Sequence, residues 1–141
     1  MDALSKLGFL VVEAMVKYDP AIKSYADDEI ALVCATRHSS LETDLLFWKG
    51  VTSTPTVASP ALFVYTLPNI MLGEIAIRHK WFGENVCLVT GSHDRQLLRD
   101  HSVMMMEAGK AKACIAGWAD FYKNNCEAEF SLLEMSAIHQ V

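Results

Sequence analysis

Three short, continuous apolar runs are the clearest feature of the hydrophobic pattern. They are Ile30–Ala35, Val86–Val89 and Ala113–Ala116. An uninterrupted run of four to six apolar residues is typical of a strand that is buried on both faces of a sheet. We therefore predict three buried strands, the third ending at Gly117-Trp118.

Amphipathic segments precede and separate these runs. Helical spacing of apolar residues predicts helices over 3–18, 61–80 and 93–108. Strands that alternate with helices imply crossover connections, and these favour parallel pairing. The predicted fold class is α/β, with a mostly parallel sheet flanked by helices.

Capping and turn residues refine the helix bounds. Asp2 is a predicted N-cap, and Asp19-Pro20 ends the first helix. That helix is expected to bury one face, which carries Leu4, Leu7, Leu10, Val11 and Met15. Gly83 is expected to stop the second helix and Gly109 the third.

Two segments have weaker patterns. Residues 38–44 are polar, and a Thr/Ser/Pro-rich loop is predicted to follow through Pro60. The tail 130–138 fits a final strand, with a helix left open. No repeat or linker divides the chain, so 1–141 is interpreted as one domain.

Composition and charge exclude several function classes. The 141 residues are 52% hydrophobic and 21% charged, which is typical of a folded globular protein. The net charge of −5 comes from interspersed acids and bases, without the basic stripe of a nucleic-acid-binding protein. No apolar run reaches the roughly 20 residues that span a bilayer, and no signal peptide is recognised. We expect a cytoplasmic protein.

The four cysteines are interpreted as reduced thiols. Cys34, Cys87 and Cys114 lie inside the predicted strands, where a thiol behaves as a small hydrophobe. Neither a CxxC pair nor His residues at i, i+4 are present to suggest a metal site. No metal and no cofactor is predicted.

Several segments together resemble the β-ketoacyl-acyl-carrier-protein synthases, which have a thiolase-like fold. Pro60-Ala-Leu-Phe63, Thr66-Leu-Pro-Asn69 and Gly73-Glu-Ile-Ala-Ile77 resemble the region before the family's active-site strand, here Val86–Thr90. Residues 108–120 and the opening residues 1–8 resemble two further family segments. The resemblance covers the N-terminal half of the family's duplicated fold, and its first strand is not found ahead of the opening helix.

This sequence departs from the family at the nucleophile. In the family the strand runs into Thr-Ala-Cys, with the cysteine at a helix N-terminus, where its pKa is lowered. Ser92 stands at that position here, and Cys87 lies five residues earlier, inside the strand. No catalytic residue for condensation is therefore expected.

The resemblance implies a partner subunit of the chain-length-factor type. Such a subunit would pair with an active β-ketoacyl synthase across the strand Val86–Val89, in fatty-acid-like or polyketide-like biosynthesis, with acyl carrier protein as a further partner. A homo- or hetero-oligomer is expected. The residues implied at the interface or acyl pocket are Phe63, Tyr65, Leu67, Asn69, Ile70, Met71, Val86 and Leu88. For Phe63 to Met71, packing within the subunit's own core is the alternative.

Two other functions remain open. Ser92 would be the nucleophile of a small acyltransferase or thioesterase if a distant His38 or His101 were its base. The adjacent Ser92-His93-Asp94 cannot itself form a triad, because neighbouring helical residues point about 100° apart; Ser92 is instead expected to cap the helix. A self-associating ketosynthase relic is the third hypothesis.

Overall fold

A computed structural model describes residues 1–53 and 59–138. Its four strands are β1 (Ile30–Thr36), β2 (Asn85–Val89), β3 (Ala113–Tyr122) and β4 (Asn125–Glu134). Its α-helices are α1 (Ala3–Tyr18), α2 (Leu41–Ser53), α3 (Pro60–Val64), α4 (Ile70–His79), α5 (Arg95–Glu107) and α6 (Met135–Ile138), and a 3-10 helix covers Pro20–Ser24.

The strands form one sheet in the order β2-β1-β3-β4. β1 pairs in parallel with both β2 and β3, whereas β3 and β4 form an antiparallel hairpin. The predicted α/β class and mostly parallel sheet are therefore confirmed. The hairpin turns at Lys123 and Asn124, both with positive φ.

The three predicted strands differ in how deeply they are buried. Every residue of β1 is buried, as expected for a central strand. The prediction that Val86–Val89 is buried on both faces is wrong: β2 is an edge strand with half-buried residues and exposed ends. β3 does not end at Gly117-Trp118 but continues to Tyr122, because β4 pairs with it along its whole length.

Helices cover both faces of the sheet. On one face, α1 and α4 bury Val12, Leu72 and Ile75 against Leu32 and Ile115. On the other face, α5 contributes residues that pack on alternate residues of β1 and β3; these are Leu98, Met105 and Met106. The alternation follows from the two-residue period of a strand.

The buried face of α1 differs from the predicted one. Its Asp2 cap is confirmed, since the carboxylate accepts a hydrogen bond from Ser5 N at 2.9 Å. The buried residues are Leu4, Ser5, Gly8 and Val12, however, and Leu10 is 65% exposed. Gly8 selects this face, because a Cβ there would overlap the sulfur of Met71 on α4.

Two helix predictions also need correction. Residues 41–53 form α2, although the polar stretch and following loop were predicted to be irregular; 54–58 lie outside the described residues. The predicted helix 61–80 is split into α3 and α4, because Pro68 lacks an N–H and disfavours helical backbone before it. α4 ends at His79 rather than at Gly83, because the next residue, Lys80, has left-handed backbone.

The end of α5 and the structure of the tail agree more closely with the predictions from sequence. Gly109 has φ +69° just after α5, as its predicted stop requires. In the tail, the strand prediction holds to Glu134 and a short helix follows. Within residues 1–53 and 59–138, no helix combines the length and apolar character needed to cross a membrane.

Candidate functional site

A cleft opens where the parallel strands end. Thr36 and Val89 are partners in the β1–β2 ladder, and Thr90 N donates to Thr36 O at 2.9 Å. The segments that leave these two strands therefore begin side by side, as at the carboxyl edges of other open α/β sheets, where ligands bind. This carboxyl-edge cleft has a volume of about 360 Å³ and is lined by Arg37, His38, Ser92, His93, Trp118, Asp120, Asn125 and Glu127.

Asp120 organises one wall of the cleft. Its Oδ1 accepts hydrogen bonds from Thr36 Oγ1 at 3.0 Å and from the backbone N–H groups of Arg37 (3.0 Å) and His38 (2.7 Å). Burial alone would raise the pKa of Asp120, but the hydrogen bonds from His38, Thr36 and Arg37 outweigh it, and the pKa is lowered. Asp120 is therefore a fixed carboxylate at neutral pH.

His38 is held by this carboxylate. Its Nδ1 lies 2.6 Å from Asp120 Oδ2, and its ring stacks on Tyr122 with centroids 4.6 Å apart. A carboxylate only accepts hydrogen bonds, so the pair assigns the proton to Nδ1. In the described part of the chain, Nε2 has no hydrogen-bond partner. The imidazole is thus oriented, 29% exposed, with one nitrogen uncommitted.

Ser92 lies exposed in the same cleft and does not cap α5. Asp94 is the cap, because its Oδ1 accepts a hydrogen bond from Leu97 N at 3.0 Å. The prediction for Ser92 is wrong because the helix begins only at Arg95, so Asp94 occupies the position from which a side chain reaches the first free N–H groups.

His93 and His101 have other contacts. His93 stacks on Trp118, with centroids 5.4 Å apart, and Asp94 caps α5, so neither side chain completes a triad with Ser92, as expected. His101 Nδ1 is 3.1 Å from Leu97 O on its own helix. Of the two histidines weighed as bases for Ser92, His38 lines the cleft and His101 does not.

The implied interface residues divide between surface and core. Phe63, Leu67 and Asn69 are exposed, and Ile70 is half-buried. Met71 is 1% exposed and packs against Gly8, which is the core alternative stated for this segment.

Tyr65 supports the turn between α3 and α4. Its hydroxyl donates to Glu74 Oε1 at 2.7 Å, and this bond raises the pKa of Tyr65. The phenol thus ties the exposed residues around Leu67 to α4.

Val86 and Leu88 lie on the edge strand. Both side chains pack, half-buried, on the face that α5 covers. The outer edge of β2 pairs with no strand in residues 1–53 and 59–138. Its N–H groups alternate in direction, and since Thr90 N points to β1, Val89 N points to the open edge.

An exposed apolar surface on α2 was missed by the sequence analysis. It consists of Leu41, Leu45, Leu46 and Trp48. It continues onto α3, because Phe47 and Phe63 are in ring contact with centroids 5.5 Å apart. Two acids in the first turn, Glu42 and Asp44, were the available signal, since carboxylates favour a helix N-terminus.

Asp120 and Trp118 were also not singled out as site residues. Both follow the apolar part of β3, and side chains at the carboxyl ends of parallel strands meet at one edge.

The described residues contain no group of three or more His, Cys, Asp or Glu side chains placed to hold a metal ion.

No protein-family model matches this chain, and no curated protein matches it. Solved structures do match it. A chain of the ishigamide ketosynthase/chain length factor superposes with a TM-score of 0.83 at 19% identity, covering 97% of this chain and 44% of that one.

Two further structures have the same fold. The ketosynthase ApeO in complex with its chain length factor ApeC, from Xenorhabdus doucetiae, matches with a TM-score of 0.63 at 18% identity, covering 86% of this chain and 46% of that chain. AntDE:AntF, a type II PKS acyl-carrier protein in complex with its ketosynthase bound to the hexaketide, matches with a TM-score of 0.69 at 10% identity, covering 99% and 49%. The chain therefore has the thiolase-like fold of ketosynthase and chain length factor proteins, and spans just under half their length.

Proposed function

We propose that this chain is a ketosynthase-like subunit that does not itself catalyse condensation. It pairs with an active β-ketoacyl synthase in fatty-acid-like or polyketide-like biosynthesis and shapes the acyl pocket of that partner. The observation that carries the proposal is the superposition on a ketosynthase/chain length factor chain over 97% of this sequence. Fold likeness alone does not specify activity, so the proposal also depends on the nucleophile position and on the free surfaces.

The thiol chemistry supports a role without condensation. Ser92 stands where the resemblance places the nucleophilic cysteine. The nearest thiol in sequence, Cys87, lies within β2, and its Sγ contacts Pro68 O at 3.5 Å. Burial raises the pKa of Cys87, whereas a reactive cysteine needs a lowered pKa.

The open edge of β2 supports pairing with another chain. An exposed strand edge presents unpaired N–H and C=O groups, and proteins cover such edges or use them for association. Val89, at the carboxyl end of β2, is 61% exposed and places its N–H on this edge. We propose that this strand lies at the interface with the ketosynthase.

The exposed apolar residues suggest where the acyl pocket would be formed. Phe63 lies on α3 and Leu67 in the turn that Tyr65 ties to α4, and both are about half exposed. In a complex these residues would become buried and would border the chain held by the partner. Acyl carrier protein is proposed as the further partner that delivers this chain.

We also propose a cytoplasmic location. The four cysteines are all free, although Cys34 and Cys87 are direct partners on adjacent strands. Unpaired thiols in such positions are typical of proteins from a reducing compartment.

The experiment is native mass spectrometry of the tagged protein from its own cells. A ketosynthase that carries the cysteine, recovered at one-to-one stoichiometry, would support the proposal. Recovery of self-oligomers alone would contradict it and favour the self-associating relic.

A matched pair of variants tests the proposed interface. Val89→Pro removes the N–H on the open edge without touching the ladder to β1, whereas Val89→Ala removes most of the side chain and keeps the N–H. We expect loss of the complex with proline, retention with alanine, and the same melting temperature for both isolated chains. A complex that survives Val89→Pro would exclude pairing through β2.

A further inference from the structure

The carboxyl-edge cleft contains a group of side chains that pairing with a ketosynthase does not require. His38 follows β1 by two residues, and Ser92 follows β2 by three. Asp120 lies near the end of β3, and its Oδ2 is 2.6 Å from Nδ1 of His38. Three adjacent parallel strands thus bring a hydroxyl, an imidazole and a carboxylate to one cleft.

We propose that Ser92, His38 and Asp120 act as an acyl-accepting triad, with Ser92 as nucleophile for activated acyl esters or thioesters. The Ser92 hydroxyl and His38 Nε2 line the same cleft, without a hydrogen bond between them in the free chain. This activity goes beyond the proposed partner role and does not depend on it. Asp120 is a positioning residue: it keeps the proton on Nδ1 and leaves the Nε2 lone pair as base. His38 is the general base.

The acylation step conserves atoms and charge. His38 Nε2 takes the hydroxyl proton as Ser92 Oγ attacks the carbonyl carbon of the acyl donor. The new C–O bond forms, the C–S or C–O bond to the leaving group breaks, and the thiolate or alkoxide leaves with the proton from the imidazolium. Water, deprotonated by the same imidazole, then cleaves the acyl-serine and regenerates the hydroxyl.

The rest of the cleft wall fits a catalytic role for His38. Four hydrogen bonds hold the Asp120 carboxylate, and Tyr122 stacks on the imidazole, so the ring is fixed from two sides. Such fixation of the base by a carboxylate is the arrangement by which serine nucleophiles are activated. Trp118, 3% exposed, forms an apolar wall, and its indole N–H has no hydrogen-bond partner among the described residues.

The proposal is tested on the full chain, without a partner, with p-nitrophenyl acetate. We expect a burst of one nitrophenolate per chain, with one acetyl group mapped to Ser92 by peptide mass spectrometry. Ser92→Ala should abolish the burst, and Ser92 is exposed, so this variant should fold normally. The matched control Ser53→Ala, at an exposed serine of α2, should keep the burst.

The base is tested with two histidine variants. His38→Ala should lower the burst rate constant by about 10²–10⁴-fold, the usual contribution of a general base. His101→Ala, which removes the rival histidine outside the cleft, should leave it unchanged. His38→Gln is a second variant for the case in which alanine lowers the melting temperature.

The role of Asp120 is tested with a measurement that would not change if this residue only stabilised the fold. Asp120→Asn should lower the acylation rate constant at saturating ester without changing the ester concentration for half-saturation. A burst that persists in Ser92→Ala, an absent burst in the wild type, or an unchanged rate in His38→Ala would each overturn the triad. Such failure would leave pairing through β2 untouched, because that is measured separately.

Discussion

Replacing Asp120 by alanine is expected to destabilise the protein by about 3–5 kcal/mol. The carboxylate accepts four hydrogen bonds, from the Thr36 hydroxyl, the N–H groups of Arg37 and His38, and the His38 ring. A hydrogen bond to a charged group contributes about 1.5–3 kcal/mol. Water can reach the exposed backbone at Arg37, so the loss is smaller than four such contributions.

Thermal unfolding followed by circular dichroism measures this effect. For a chain of this size, 1 kcal/mol corresponds to about 2–4 °C in melting temperature, so Asp120→Ala should melt at least about 6 °C below the wild type. Asp120→Asn keeps one acceptor oxygen and should lose less, about 1–2 kcal/mol. The control is Glu127→Ala, an exposed carboxylate of the same cleft, with an expected change under about 0.5 kcal/mol.

The pH dependence gives an independent check. The pKa of Asp120 is lowered on folding, so its stabilisation is complete above the unfolded value of about 4 and is lost as pH falls through the folded value. The stability gap between wild type and Asp120→Asn should therefore be constant above about pH 5 and narrow below about pH 4. A melting temperature of Asp120→Ala within about 2 °C of wild type, or a gap that widens in acid, would refute this reasoning.

Two further predictions concern packing and thiol reactivity. Gly117→Ala should lower the free energy of unfolding in urea by about 3 kcal/mol or more, because its Cβ would overlap a backbone carbonyl oxygen and a phenyl ring of β4. The control Gly91→Ala, with open space around its Cβ, should be nearly neutral, and equal stabilities of the two variants would contradict the close approach of β3 and β4. Under native conditions, Ellman's reagent should modify exposed Cys126 rapidly and spare Cys34, whose pKa burial raises; rapid modification of two or more thiols would show that the strands open easily.

The local pattern was enough to predict the central elements. β1 is covered on both faces, so nearly all its residues are apolar, and this continuous apolar run can be recognised in the sequence. Asp2 and Gly109 likewise act through their own backbone or nearby N–H groups, so their roles could be predicted from neighbours in sequence.

The predictions were wrong where contacts between residues distant in sequence determine the structure. β2 has the same apolar character as β1, yet its place at the sheet edge depends on which strands pair with it. Leu10 fits the apolar stripe of α1, but the close contact between Gly8 and Met71 selects a different face. For Ser92, a competing cap two residues later could be recognised only once the first helical residue was known.

By itself, the sequence determined the class of fold, the central strand and the absence of a cysteine at position 92, because each depends on residue type and short-range spacing. Only the tertiary structure placed His38, Ser92 and Asp120 in one cleft and left the edge of β2 open. The hydrogen bond between His38 and Asp120 joins residues 82 positions apart along the chain. The proximity of His38, Ser92 and Asp120 follows from the strand order β2-β1-β3, and no local pattern encodes that order.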